Sequence, residues 1–205
     1  MIFKQVTNPL GQWTITSERS EYDAFLPAAD FALDRGPTNK NPDRLAVAIT
    51  LLFGRWAANE FVLPQKVGPN TAFEIRQFLS ATMVEVRPIE YYPKPLVIGV
   101  RDCKLLADGD SSEDVSNDDV YIRVLQSDKY NGCIRSFQGL DVASNGFLFK
   151  KSASDVIPDL ATAVLFAEDL AVDNIVIDAD MDDVLFKRVQ GLMSAARLGL
   201  TRAER

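Results

Sequence analysis

Asn174-Ile175-Val176-Ile177-Asp178-Ala179-Asp180-Met181-Asp182-Asp183 passes from a β-branched apolar run straight into clustered carboxylates. The run has strand composition, and acidic residues are where a strand stops and a helix starts. Its two flanks are helical. Upstream, Asp155 to Ala171 carries an apolar stripe through Ile157, Leu160, Ala161, Val164 and Leu165, with Ser154 or Asp155 placed to cap it. Downstream, an amphipathic stretch runs from about Asp182 to Leu198, with Gly199 where a C-cap glycine belongs. The last part of the chain therefore reads as a helix–strand–helix unit. It is expected to pack through Val164, Leu165, Val176, Val189, Leu192 and Met193.

Working outward, Ile2 to Val6 and Gln12 to Thr16 flank Thr7-Asn8-Pro9-Leu10-Gly11 and predict a β-hairpin. Residues 20–44, broken by four glycines and prolines, read as an irregular connection with at most one short helix. Apolar residues at 45, 48, 49, 52, 53 and 56 follow a helical period after Asn41-Pro42-Asp43, and Thr71 to Ser80 follows as a second helix. Phe61-Val62-Leu63-Pro64 and Met83 to Ile89 read as extended. Further strands are expected through Leu96 to Val100, Val120 to Leu125, Cys133 to Phe137 and Phe147 to Phe149. The expected fold is α+β: a mixed, mostly antiparallel sheet with about four helices (43–58, 70–81, 155–171 and 182–198). It forms one compact domain, with residue 150 the one place it would divide.

A chain of 205 residues can bury a sizeable core. Its net charge of −7 argues against binding a phosphate backbone, so no nucleic-acid partner is expected. The start lacks the basic and apolar regions of a signal peptide. The longest apolar run, Leu45 to Gly54, is flanked by Arg44 and Arg55 and falls short of the roughly 20 residues that span a bilayer. The expectation is a soluble, cytoplasmic protein with no membrane insertion. Cys103 and Cys133 have no metal-site spacing; buried free thiols are the first reading, and a disulfide stays open.

With no histidine and no Gly-x-Ser-x-Gly, Ser-x-x-Lys, Walker or dinucleotide loop, the common nucleophilic and phosphate-binding motifs are absent. The catalytic alternative is a metal-dependent phosphate-handling enzyme. In a strand, Asp178 and Asp180 would point the same way and, with Asp182, could hold Mg²⁺. A haloacid-dehalogenase-type Asp-x-Asp-x-Thr motif would need threonine where Asp182 stands, and much more chain beyond it. The competing reading makes Asp180 or Asp182 the N-cap of the last helix. The acidic run 108–119 lacks an EF-hand's ligand spacing and reads as a solvated loop. Tyr91-Tyr92-Pro93-Lys94-Pro95, with Trp56 and Phe61, is the candidate protein-binding surface.

Residues 155–200 resemble the C-terminal half of the periplasmic domain of ExbD/TolR-type proteins through Ile175-Val176-Ile177, Ala179-Asp180, Val189, Met193, Ala196 and Gly199. The chain departs from that family in having no N-terminal membrane helix and no Pro-Tyr before the final helix. It also ends in polar Thr-Arg-Ala-Glu-Arg where the family continues as a strand. The resemblance implies an interaction module. The functional expectation is a non-catalytic subunit or adaptor of a bacterial-type assembly, partnered by another protein or by itself, with no cofactor.

Overall fold

A computed structural model describes residues 1–80, 83–93, 95–110, 115–116 and 119–203. In chain order the elements are β1 (Ile2–Thr7), β2 (Trp13–Glu18), β3 (Asp30–Leu33), α1 (Pro42–Phe53), β4 (Glu60–Val67), α2 (Pro69–Phe78), β5 (Glu85–Ile89) and β6 (Arg101–Leu106). There follow β7 (Val120–Gln126), β8 (Cys133–Arg135), β9 (Gly139–Ser144), α3 (Ile157–Phe166), β10 (Val172–Ile177), α4 (Asp183–Ala195) and β11 (Gly199–Arg202). The α+β class, and the four α-helices among the described residues, are as the sequence predicts.

The strands form one mixed sheet in the order β11-β10-β6-β7-β9-β3-β2-β1-β4-β5, with β8 paired to β9. Antiparallel pairing holds its middle, through β1–β2, β2–β3, β3–β9 and β8–β9. Both wings are parallel: β1–β4–β5 on one side, and β9–β7–β6–β10–β11 on the other. Parallel neighbours need crossovers, and α2 and α4 supply two of them. Strands on both sides of residue 150 belong to this sheet.

The N-terminal hairpin forms where it is predicted. Asn8 Oδ1 accepts from the Leu10 and Gln12 amides, both at 3.0 Å, and Gly11 takes φ +86°, a conformation that glycine adopts without steric cost. Strand alternation then buries Phe3, Trp13, Ile15, Phe31, Leu33 and Phe61, and leaves Ile2, Lys4 and Val6 outside. The buried face meets the helices through Phe3 and Phe53, whose rings are 5.3 Å apart, and Phe53 meets Phe149 at 5.1 Å.

At the centre lies α1. Asn41 caps it, accepting from the Asp43 amide at 2.9 Å, and Pro42 occupies the first turn, where a missing amide costs nothing. From Asp43 to Phe53 every residue is buried, because α1 packs on α2, α3, α4 and β4. Its two buried charges are each tied to distant chain. Asp43 Oδ1 accepts from the Gly68 amide at 2.8 Å, and Arg44 donates to the Val97 carbonyl at 2.7 Å, with Glu168 at 3.5 Å. Burial presses the Arg44 pKa downward, and the Glu168 carboxylate opposes it.

Several expectations are corrected. No helix forms between residue 20 and the start of α1 at Pro42; residues 30–33 pair with β2 instead, because Phe31 and Leu33 continue the buried face. Leu96 to Val100 is not a strand, and β6 starts at Arg101. At Gly99 a Cβ would stand 2.2 Å from the Ala171 carbonyl oxygen, so the chain there runs against the α3–β10 turn. Phe147 to Phe149 forms a 3-10 turn rather than a strand, and the missing strand is β9. Asn145 fixes that turn by accepting from the Ala32 amide at 2.8 Å and donating to the Asp30 carbonyl at 3.0 Å.

The helix end at Gly199 is also corrected. Arg197, at φ 51°, takes the left-handed position after α4, and Gly199 opens β11. A Cβ on Gly199 would meet Asn174 Oδ1 at 2.6 Å. The polar C-terminus is therefore a strand, parallel to β10 with Ile175 opposite Leu200, and the unit is helix–strand–helix–strand. Of the packing residues expected there, Val164, Leu165, Val189, Leu192 and Met193 are buried, and Val176 is half-buried. Both cysteines are free thiols; burial, its largest cause, pushes Cys103 up to about 12.

Asp23 anchors the 20–29 connection. It accepts from the Ser20 amide and hydroxyl at 2.8 and 2.9 Å and from the Ala58 amide at 2.9 Å, and lies 3.0 Å from the Met1 ammonium. Burial works to raise its pKa, but these hydrogen bonds outweigh burial and hold it below 3.8. Its stabilisation is complete above 3.8 and lost as pH falls through the lower folded value. Asp23→Asn is expected to be less stable than the parent in urea at pH 7, with the gap closing as pH falls below 3.8. A gap that widens would exclude this role. Arg44→Ala is expected to cost about 3 kcal/mol in the same assay, toward the lower end for a broken buried ion pair because Glu168 keeps some solvent contact.

Candidate functional site

The aspartate segment that attracts attention in the sequence is divided by the structure. Ile177 ends β10 in the core, Met181 is buried, and Asp178, Asp180, Asp182 and Asp183 are exposed. Asp182 is the N-cap of α4, accepting from the Val184 and Leu185 amides at 3.0 and 3.1 Å. Asp183 pairs with Arg202 of β11 at 2.8 Å. Among the described residues no three histidine, cysteine, aspartate or glutamate side chains lie close enough together to hold a metal ion. Asp178 and Asp180 lie within the β10–α4 connection, beyond the end of the strand, so the i, i+2 alignment that would bring them together does not operate there.

The four aromatic residues of the proposed binding surface do not share a face. Phe61, 0% exposed, points into the core 4.8 Å from the Phe3 ring. Trp56 is half-buried, stacked beneath the Arg55 guanidinium at 3.8 Å and edge-on to Phe149. Only Tyr91 and Tyr92 are on the surface, Tyr92 at 92% exposure. Their exposure continues along the chain through Val97, Ile98 and Val100, the last at 84%.

This ribbon leaves β5 at one edge of the sheet and crosses to β6 in the other wing. It is held at three places, two through its main chain and one through a proline ring. Pro93 lies against Gly68, Val97 receives Arg44, and the Val100 amide donates to the Ala171 carbonyl at 2.9 Å. Held by backbone and by one proline, it leaves large apolar side chains outward. Lys94 lies outside the described residues, as do Glu113, Asp114 and Asp118 of the acidic run. Within that run, Val115 packs on Leu106 and Tyr121, and Asp110 accepts from the Ala107 amide at 2.8 Å.

Two cavities open elsewhere. One, of about 470 Å³, lies where α1, α2, α3 and α4 end or begin. Leu52, Phe78, Leu79, Phe149, Met181 and Leu185 give it an apolar wall, and Arg55, Lys151, Arg188, Asp155, Asp180 and Asp182 supply its charges. The other, of about 450 Å³, is polar and holds Asp34, Arg35, Arg135 and Asp169 beside the half-buried Cys133. Asp169 is committed there, accepting from the Thr38 and Asn39 amides at 2.7 and 2.9 Å. Neither cavity is visible in the sequence, since each gathers side chains from segments far apart in the chain. The only pointers were Asp180 and Asp182, at the mouth of the first cavity, and the adjacent Lys150-Lys151 pair.

No protein-family model, curated protein or solved structure matches this chain.

With Asp182 as a cap, Asp182→Ala is expected to lower stability by about 1 kcal/mol, and Asp180→Asn to change it by less than about 0.5 kcal/mol. Millimolar Mg²⁺ should leave the melting temperature of the parent unchanged. A rise that Asp180→Asn removes would instead reveal a metal site, because a ligand that binds only the folded state must stabilise it.

Proposed function

We propose that the chain is a non-catalytic protein-interaction subunit or adaptor of a bacterial-type assembly, docking through the ribbon from Tyr91 to Val100. The observation that carries this reading is that ribbon: five large apolar side chains are exposed on a segment whose backbone is fixed at Val97 and Val100. Monomeric proteins rarely expose contiguous large apolar patches without using them. Tyrosine is a favoured interface anchor, since it contributes large area with few rotatable bonds. A backbone fixed before binding also reduces the ordering cost of association. The resemblance of residues 155–200 to ExbD/TolR-type domains supports the same class of role. Cytoplasmic location is part of the proposal, because free thiols persist in a reducing compartment.

The test is a surface variant that spares the fold. Tyr91→Ser combined with Tyr92→Ser should change urea stability by less than about 0.5 kcal/mol. The same change should weaken association by about 2 kcal/mol, near thirtyfold, as expected of an interface anchor. Sedimentation velocity across micromolar concentrations reads self-association, and capture from a host extract on immobilised protein reads a different partner. A parent that sediments only as a monomer, and captures the same proteins as the double variant, rules out the ribbon as the docking surface.

A further inference from the structure

The 470 Å³ cavity at the ends of the four helices is not part of the ribbon, and none of its lining side chains belongs to residues 91–100. Its size is that of a small-molecule site, and its makeup is an apolar wall with a charged mouth. The formal charges at the mouth cancel, with Arg55, Lys151 and Arg188 against Asp155, Asp180 and Asp182. Their hydrogen-bonding capacity does not.

Two of the three carboxylates are already engaged. Asp155 accepts from the Lys151 amide at 2.9 Å and the Ile157 amide at 3.1 Å, and Asp182 accepts two amides of α4. The cations are engaged far less. Arg55 donates to the Phe149 carbonyl at 2.6 Å and reaches Asp155 only at 4.0 Å. Arg188 donates to the Phe78 carbonyl. A guanidinium carries five N–H donors in a planar fork, so both keep donors to spare, and Lys151 adds an ammonium. Burial also presses the Arg55 pKa downward, an opposition that an added anion would relieve.

We propose that this cavity binds an amphiphilic carboxylate, with its apolar body against Phe78, Phe149, Met181 and Leu185 and its head on the Arg55 and Lys151 side of the mouth. Arg55 is held by Trp56 beneath it and by the Phe149 carbonyl, so its free edge is oriented before a ligand arrives. Asp180, exposed and also lining the cavity, disfavours a second negative group and restricts the ligand to one anionic end.

Isothermal titration calorimetry on the full chain tests this with sodium decanoate, decylammonium chloride and 1-decanol, all below their aggregation concentrations. Decanoate is expected to bind saturably, one per chain, and more tightly than either of the others. Arg55→Met should weaken it by about tenfold, the factor for one lost charge-assisted hydrogen bond. Lys151→Met, at an exposed position unable to disturb the core, should weaken it to a smaller extent. Leu185→Trp, which fills the cavity, should abolish it while the circular dichroism spectrum is unchanged. The proposal is overturned by the absence of saturable decanoate binding. It is equally overturned if decylammonium or decanol binds as tightly as decanoate, or if a folded Leu185→Trp binds like the parent.

Discussion

A helix buried around its whole circumference has nowhere to leave a charge unpaired, and α1 carries two. Asp43 and Arg44 sit in its first turn at 6% and 2% exposure. Each must reach a partner outside the helix, because an uncompensated buried charge is among the costliest defects a fold can carry. Asp43 takes the Gly68 amide just ahead of α2, while Arg44 takes the Val97 carbonyl and faces Glu168 beyond α3. Burying α1 thus fixes the entry to α2, the β5-to-β6 crossing and the end of α3 together.

That arrangement has consequences at the surface. Because Arg44 holds the crossing segment by its backbone, the side chains around Val97 need not turn inward to hold it in place, and they are exposed. The apolar ribbon and the buried salt bridge are two sides of the same contact. At the opposite end of α1, Gly54 and Arg55 stand where α2 ends and where α3 and α4 begin, and the open space there is the larger cavity. Where one central helix is wrapped by three others, gaps form at the helix ends, where side-chain layers no longer interdigitate.

Much of this was legible from local pattern. The hairpin followed from Pro9 and Gly11, the start of α1 from Asn41-Pro42, and the start of α4 from Asp182, because each signal acts through hydrogen bonds or φ preferences within a few residues. Strand β9 was not legible. Gly139, Ala143 and Ser144 are poor strand formers in isolation, yet Gly139 fits where a Cβ would stand 2.4 Å from the Tyr121 carbonyl oxygen. Phe147 to Phe149 shows the reverse: strand-like composition was overridden by Asn145, whose partners lie in β3. Strand β11 was hidden by its polar residues, which suit an edge where alternate side chains face solvent.

The aspartate cluster shows the division most clearly. By itself the sequence determined that a strand ends and a helix begins between Ile177 and Asp183, since capping depends on neighbouring backbone amides alone. It also determined that the common catalytic motifs are absent. Only the tertiary structure decided that Asp182 faces a cavity built with Arg55, Lys151 and Phe149, and that Tyr92 is exposed while Phe61 is buried. Those outcomes rest on contacts between segments far apart in the chain. No local preference encodes them; they appear only once α1 is enclosed and its charges have found their partners.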